Sequence, residues 1–211
     1  MIYFTGDTHF GHANIIMHCN RPFLSIQEMD QAIINKWRER VTNNDTVYIL
    51  GDMFFVGRVD YSDYLKMLPG KKHLIIGNHD KDWMKKLDIT QYFKSVVHYA
   101  EISDGSHKIT LCHYPMMTWN SAPKGSYLIY GHIHNNMNDT YWKLLKTMPN
   151  ALNAGVDINN FYPVTFKELG KRSIAPAVVT KAGGRNRTPD LLITNIARTK
   201  NTLIFSPLRS I

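Results

Sequence analysis

One arrangement recurs along this chain: a short apolar run is followed at once by a polar turn rich in glycine, aspartate, asparagine or histidine. The clearest case is residues 72–76, which lead into Gly77-Asn78-His79-Asp80. An apolar run followed by turn residues is typical of a buried strand. Ligands of open α/β sheets collect just beyond the carboxyl ends of such strands. A single case would equally fit a polar turn in which Asp80 caps the next helix.

The same pattern occurs at four other places, where strand-like runs end in glycine, aspartate or histidine. These ends are Gly6-Asp7-Thr8-His9, Gly51-Asp52, His113 and Gly131-His132-Ile133-His134. Chance placement of polar residues at strand ends does not produce such a set. We therefore expect these side chains to meet at one edge of the fold, beyond the strand ends.

The order of the predicted elements indicates the fold class. The first half is predicted as β-α-β-α-β, with strands over residues 2–5, 46–50 and 72–76 and a short helix from about Asp82 to Leu87. A capping box at Ser25-Ile26-Gln27-Glu28 opens the first long helix. Strand-like runs follow at 95–102, 107–113, 126–130 and 151–156, interpreted as mostly antiparallel. We predict an α/β (α+β) chain with two sheets packed face to face and helices outside.

The formal net charge of +8 is unevenly distributed. Residues 171–211 hold eight Lys and Arg against one acid, whereas residues 1–170 hold 17 against 16. Binding of a nucleic-acid backbone usually needs clustered Lys and Arg. The nearly neutral domain therefore does not indicate nucleic acid, although nucleic acid stays possible as a substrate.

The uneven charge coincides with a predicted boundary. We expect a domain over residues 1–172 and a basic tail over residues 173–211, where helical and strand periods weaken. Residues 187–195 resemble a peptide found in spurious reading frames translated across tRNA genes. The tail is accordingly predicted to be read-through or poorly ordered, and the alternative is a genuine basic arm.

The composition also bears on where the protein acts. No run reaches the roughly 18 apolar residues that a membrane span needs, and no signal-peptide pattern opens the chain. The two cysteines, Cys19 and Cys112, are far apart and form no metal pair. We therefore expect a cytoplasmic protein with reduced thiols and no membrane partner. The sequence leaves the oligomeric state open.

The polar strand ends favour a metal centre. Imidazoles combined with carboxylates and one amide oxygen suit borderline divalent metals such as Mn, Fe, Zn, Co or Ni. Seven candidate ligands are too many for one tetrahedral site and fit two metals that share a carboxylate. Such a pair clamps the attacking and leaving oxygens of a displacement at phosphorus, and a bridging hydroxide is the nucleophile.

The motifs support a family assignment. In order, Asp7-Thr8-His9, Gly51-Asp52, Gly77-Asn78-His79-Asp80, His113 and Gly131-His132-Ile133-His134 resemble the signature of calcineurin-like metallophosphoesterases. The resemblance covers roughly residues 1–170, and stretches such as Asn20-Arg21-Pro22-Phe23 are similar to a branch of small bacterial and phage phosphoesterases. It implies a four-layer αββα sandwich of two mixed β-sheets flanked by helices.

The resemblance also implies a role for each residue. The first metal would be held by Asp7, His9 and His134, and the second by Asn78, His113 and His132, with Asp52 as the bridge. His79 would protonate the leaving oxygen or stabilise the charge that develops on the phosphate, and Asp80 would orient the His79 ring and raise its basicity. The alternative for Asp80 is a helix cap. Asp45 and Asp157 are possible outer carboxylates, but as turn residues they are interpreted as structural.

Substrate contacts are less sharply indicated. His12 and Arg21 are candidates to bind the substrate phosphate, against the alternative that both are packed loop residues. The stretch Tyr114-Pro115-Met116-Met117 with Trp119 is predicted either as a wall for a base or aryl group or as core under a loop. Protein phosphatases of the superfamily continue Gly-Asp with Asp-Arg-Gly, whereas this chain has Met53-Phe54-Phe55. A phosphoprotein phosphatase is therefore not supported.

Taken together, the residues predict a hydrolase that uses two divalent ions, with Mn expected to serve in an assay. A phosphodiester is favoured as substrate, because an uncapped site admits a second substituent on the phosphate. The alternatives are a phosphomonoesterase acting on nucleotides or small metabolites, a nuclease, and a non-catalytic scaffold that keeps the fold. The sequence does not specify the natural substrate or the physiological metal.

Overall fold

The computed structural model of the protein describes residues 1–174. The boundary predicted at residue 172 falls inside the last helix, α6 (Phe166–Ile174). Apart from the end of that helix, the predicted tail lies outside the described residues, and its nature stays a prediction.

Sheet 1 is built from the first half of the chain. Its strands are β1 (Ile2–Thr5), β2 (Thr46–Ile49), β3 (Lys71–Ile75) and β4 (Phe93–Val97), in that spatial order and all parallel. Thr5 lies opposite Ile49, and Ile49 lies opposite Leu74. The carboxyl ends of these strands are therefore aligned at one edge of the sheet.

Sheet 2 is built from the second half. Its strands are β5 (Tyr99–Ser103), β6 (Lys108–Cys112), β7 (Tyr127–Tyr130) and β8 (Ala151–Asn153). Only β5 and β6 pair antiparallel, while β7 pairs parallel with both neighbours. The prediction of a mostly antiparallel second half is therefore wrong. The connections over residues 113–126 and 131–150 are long enough to return each strand in the same direction, which a tight turn does not allow.

Three apolar cores define the order of the layers. Neighbouring strand residues point to opposite faces, so Tyr3 and Leu74 pack against the helices while Phe4 and Ile75 face sheet 2. A third cluster lies on the outer face of sheet 2, where Leu145 packs. The two sheets thus share one core and each has a second core behind it. The predicted four-layer αββα sandwich is confirmed, with sheet 2 mixed and the named strands of sheet 1 parallel.

The helices are α1 (Ala13–His18), α2 (Ile26–Arg40), α3 (Tyr61–Met67), α4 (Asp80–Met84), α5 (Thr140–Leu145) and α6. The predicted cap is present, because the Ser25 hydroxyl accepts a hydrogen bond from the Glu28 amide at 3.1 Å. The helix predicted from about Asp82 begins two residues earlier, and α1 and α5 were not predicted. No helix among residues 1–174 is long and apolar enough to cross a membrane.

The strand-like run at residues 95–102 is divided in the structure. Its first part lies in β4 of sheet 1 and its second part in β5 of sheet 2, with His98 between them. Both parts keep the alternation expected of strands, so the sequence period does not reveal the crossing. The two sheets are therefore joined by a single residue between consecutive strands.

Candidate metal centre

The predicted ligands follow the carboxyl ends of five strands. Asp7 follows β1, Asp52 follows β2, Asn78 follows β3, His113 follows β6 and His132 follows β7. Because these ends lie on the same side of the two packed sheets, the structure brings them into one centre. The sequence motifs and the strand topology thus agree on where the chemistry lies.

Five predicted ligands have left-handed backbone conformations. The φ angles are 55° for Asp7, 51° for His9, 53° for Asp52, 70° for His132 and 49° for His134. Non-glycine residues rarely adopt this conformation, and the strain costs roughly 1–2 kcal/mol for each residue. Such strain clusters at functional sites, where the fold aims side chains at a ligand.

The motif glycines make room for the carboxylates. A Cβ atom at Gly77 would lie 2.3 Å from Asp52 Oδ1, and one at Gly131 would lie 2.8 Å from Asp7 Oδ2. Both distances are shorter than side chains tolerate. The glycines that precede Asn78 and His132 are therefore required by the close approach of the two acids.

The first group of ligands consists of Asp7, His9 and His134, whose donor atoms lie within 4.8 Å of one another. Asp7 and His9 are buried, with 0% and 2% of their surface exposed. Both ring nitrogens of His9 are buried without a hydrogen-bond partner among residues 1–174. Buried polar atoms of this kind are rare in folded proteins and require a partner. A divalent cation fits this donor set and supplies that partner.

The second group consists of Asp52, His113 and His132, also within 4.8 Å, together with Asn78. Asn78 Oδ1 lies 3.0 Å from His113 Nε2 and 3.1 Å from His132 Nδ1. His113 Nδ1 lies 2.6 Å from the Leu50 carbonyl oxygen, so Nδ1 carries the proton and donates it there. The lone pair of Nε2 then points toward the Asn78 oxygen. Two acceptors that converge in this way fit a cation between them.

Asp52 lies between the two groups. Its Oδ2 atom is 3.6 Å from His9 Nε2 and 3.6 Å from His113 Nε2. Its Oδ1 atom accepts a hydrogen bond from the His79 amide at 2.8 Å. The structure therefore places this carboxylate where a bridging ligand is expected.

Burial perturbs the titration of the first group. Loss of solvation raises the pKa of Asp7 to about 6. Burial also lowers the pKa of His9 well below its ordinary value, and the neighbouring His134 adds to that effect. For His134, burial lowers the pKa, but the hydrogen bond to Asp157 and the charge of Asp7 outweigh it and raise the pKa to about 10. Buried groups this close, with opposing shifts, are typical of a functional site.

His79 and Asp80 do not form the predicted pair. The Asp80 carboxylate is fully buried and accepts hydrogen bonds from the amides of Asp52, Met53 and Gly77 and from Trp83 Nε1, at 2.7–2.9 Å. Among the contacts of the described residues, none joins this carboxylate to the His79 ring. Asp80 is also not the helix cap, because it is the first residue of α4. Its four bonds hold the turns that carry Asp52 and Gly77, and the predicted role of orienting His79 is wrong.

The His79 ring nevertheless lies at the centre. It is exposed, and its centroid is 5.3 Å from that of His9. His12 also lies beside His9, with centroids 5.4 Å apart, and its ring stacks on Phe55 at 4.1 Å. The pKa of His12 is lowered to about 4, chiefly by burial, and its Nδ1 atom has no hydrogen-bond partner. His12 is therefore a neutral group beside the first set of ligands.

Arg21 is not available to bind phosphate. Its guanidinium is buried and forms a two-pronged ion pair with Asp157, at 2.8 Å and 3.0 Å. The same group donates to the backbone oxygens of Asp7 and Thr8. Asp157 in turn lies 2.7 Å from His134 Nδ1. The structure thus corrects two expectations, because Arg21 faces the protein and Asp157 supports a ligand rather than only a turn.

A cleft of about 800 Å³ opens beside His132 and His134. Ile15, Met17 and His18 of α1 line it, together with Tyr114, Tyr141 and several loop asparagines, and its described lining contains no Lys, Arg, Asp or Glu. The Tyr114 ring packs edge-on against His132, with centroids 4.6 Å apart.

The segment after His113 is divided between the cleft and the core. Tyr114 and Pro115 line the cleft, whereas Met116 and Trp119 pack against the core on the outer face of sheet 2. Tyr141 was missed by the sequence analysis because α5 was not predicted.

The comparisons agree with this geometry. The family model for calcineurin-like phosphoesterases matches residues 1–147. The chain therefore belongs to the calcineurin-like phosphoesterase family, whose members typically bind divalent metals. The family implies hydrolysis of a phosphoric ester.

Two sequence relatives and one solved structure are similar to most of this chain. An uncharacterized protein of Methanocaldococcus jannaschii is 33% identical over 172 residues, which cover 81% of this chain and 89% of the relative. The gene 66 protein of Mycobacterium phage D29 is 26% identical, with 74% and 87% covered. A crystal structure of a protein of unknown function from Aquifex aeolicus matches with a TM-score of 0.64 and 29% identity, covering 82% of this chain and 98% of that one. The αββα fold is thus shared across nearly the whole length of that protein.

Proposed function

We propose that this chain is a phosphodiesterase that uses two divalent metal ions. The observation that carries the proposal is the position of Asp52, whose carboxylate lies 3.6 Å from a histidine of each ligand group. Two donor groups that share one carboxylate fit a pair of cations better than one. When bound, such ions lower the pKa of a water molecule and neutralise charge on the phosphate.

The residues divide the work of binding and proton transfer. Asp7, His9 and His134 would hold the first ion, and Asn78, His113 and His132 the second, with Asp52 shared. His79 would donate a proton to the leaving oxygen, since its exposed ring lies beside His9. His12, neutral and with one unpartnered nitrogen, would accept or donate a hydrogen bond at the substrate phosphate.

The size of the cleft and its lack of Lys and Arg support a diester over a monoester. A phosphate diester carries one negative charge and two substituents, whereas a monoester carries up to two negative charges and one substituent. The cleft offers about 800 Å³ beside the centre, and its described lining holds no Lys or Arg. It would accommodate an uncharged substituent, and Tyr114 offers an aromatic face to a base or an aryl group.

The direct test compares an aryl phosphodiester with its monoester, using the full chain and added Mn²⁺. We expect diester turnover that falls roughly 10²–10⁴-fold in His79→Ala, the usual contribution of one general acid. The variant should still bind both ions. Turnover of the monoester alone would replace the proposal with a phosphomonoesterase. No turnover of either ester, with two ions bound, would favour the scaffold.

A further inference from the structure

The ion pair between Arg21 and Asp157 lies directly behind the first ligand group. The exposed fractions of the two side chains are 0% and 1%. All the nitrogens of the Arg21 guanidinium are engaged, two of them with Asp157. An arginine held at fixed geometry by two parallel bonds to a carboxylate is a rigid element.

This pair touches both arms of the first group. Arg21 Nη2 donates to the Asp7 backbone oxygen at 2.7 Å, and Nη1 donates to that of Thr8 at 2.8 Å. These bonds fix the turn that carries Asp7 and His9. On the opposite side, Asp157 Oδ2 accepts a hydrogen bond from His134 Nδ1 at 2.7 Å. One ion pair therefore sets the position of Asp7 relative to His134.

The bond to Asp157 also selects which nitrogen of His134 faces the centre. With the proton of Nδ1 donated to the carboxylate, Nε2 is left as the coordinating atom. A ligating histidine usually donates its other N–H to a carboxylate or carbonyl, and removal of that partner weakens metal binding about 10–100-fold.

The second group has different support. His113 is fixed by the Leu50 carbonyl, and the turns of Asp52 and Gly77 are held by Asp80. The described hydrogen bonds of Arg21 and Asp157 reach none of Asn78, His113 and His132. The His132 amide does donate to both carboxylate oxygens of Asp7, at 2.9 Å, but through the backbone of His132 and not through its ring. Damage to the pair should therefore affect one metal and spare the other.

We propose that Arg21 and Asp157 are positioning residues for the first metal alone, an inference that rests on the proposed two-metal function. A purely structural ion pair would stabilise the fold without distinguishing the two ions. Stepwise metal binding separates these roles, because it reports each site without the need for turnover.

The experiment titrates Mn²⁺ calorimetrically into the metal-free full chain and into Asp157→Asn. An amide has one acceptor oxygen where the carboxylate has two, so it cannot serve both Arg21 and His134 as Asp157 does. We expect the wild type to bind two equivalents, and the variant to bind one of them about 10–100-fold more weakly, with the other unchanged.

Arg40→Lys is the matched control. It disrupts another Arg–carboxylate pair, with Glu168 at 2.8 Å, which is formed away from the centre. Both equivalents should bind to this variant as to the wild type.

Substitution with Co²⁺ adds a spectroscopic readout, since the absorption of the ion reports the coordination of the affected site.

Each remaining outcome is decisive. Two unchanged equivalents in Asp157→Asn, or equal weakening of both, would overturn the positioning role. Fewer than two equivalents in the wild type would instead overturn the two-metal proposal itself. If Asp157→Asn does not fold, Arg21→Lys takes its place, because it keeps the charge but loses the two-pronged bond. Failure of both metal-free variants to fold would show that the pair serves the fold, and would also overturn the inference.

Discussion

The two halves of the candidate metal centre, the first and second ligand groups, are supported in different ways. Behind Asp7 and His134 lies a side-chain ion pair drawn from two distant parts of the chain, since Arg21 and Asp157 are 136 residues apart. Behind His113 lies the backbone carbonyl of Leu50, which is at the sheet edge that also supplies Asp52. Side-chain support can be removed by one substitution, whereas a backbone carbonyl cannot. The comparison teaches that the histidine of the first half depends on a side chain that one substitution removes, whereas the histidine of the second half depends on the geometry of the turns, which Asp80 holds.

The largest effect on metal binding and turnover is expected at Asp52, where the two ligand groups meet. Asp52→Asn keeps the shape of the side chain but removes the negative charge that both groups share. We predict that it loses both metals and that turnover falls at least about 10²–10³-fold, the cost of one preorganised electrostatic group. Metal analysis and diester kinetics on the same preparation check this. Retention of one ion at wild-type affinity would show that Asp52 belongs to one half only.

The second-largest effect is expected from a substitution in the turn that follows β3. A Cβ at Gly77 would lie 2.3 Å from Asp52 Oδ1 and 2.9 Å from His113 Cε1, so Gly77→Ala should displace both side chains. We predict weaker binding of both metals and a loss of turnover smaller than that of Asp52→Asn, measured by the same titration and assay. Gly170→Ala is the control, since its added Cβ meets no atom of the described residues within 4 Å and alanine favours helix. A Gly77→Ala variant with unchanged metal binding and turnover would contradict this, because it would show that the turn accommodates the added Cβ without displacing Asp52 or His113.

A third prediction concerns the carboxylate that holds the turns. Asp80 accepts four hydrogen bonds, and an amide in its place can accept about half of them. Asp80→Asn should lower the free energy of unfolding by about 3 kcal/mol, at about 1.5 kcal/mol for each of two lost charge-assisted bonds. Chemical denaturation of the metal-free protein measures it. Asp82→Asn, which alters an exposed ion pair with Lys85 on the same helix, should change little. A similar loss in both variants would contradict the role of Asp80.

The smallest predicted effect is a pH dependence near the first half. Asp30 accepts hydrogen bonds from the Gly11 amide and from the Tyr64 hydroxyl, and burial raises the pKa of Asp30 to about 6. Because the folded state then binds the proton of Asp30 more tightly than the unfolded state, the contribution of Asp30 to stability is greatest below about pH 4 and falls as the pH rises to about 6. That fall is at most roughly 3 kcal/mol. The difference between the unfolding free energies of the wild type and Asp30→Asn across this range should show it. An identical slope in the variant would assign the pH dependence to other groups.

Much of the centre could be predicted from local sequence. Strands and the turns that follow them are recognised within a few residues, so the positions of Asp7, Asp52, Asn78 and His113 at strand ends followed from apolar runs and glycines. The capping box at Ser25 was found for the same reason, because its partners lie three residues apart. The crossing between the sheets at His98 was not found, since alternation is the same on both sides of it.

The sequence by itself determined the set of donor side chains, their places at the ends of strands and the resemblance to a family of phosphoesterases. Only the tertiary structure decided what each polar side chain faces. Arg21 turned toward Asp157 instead of a substrate phosphate, and Asp80 turned toward backbone amides instead of His79. The reason is physical: a strand or a turn is set by neighbouring residues, whereas a buried charge must find its partner anywhere in the fold, and that partner is fixed only when the layers pack.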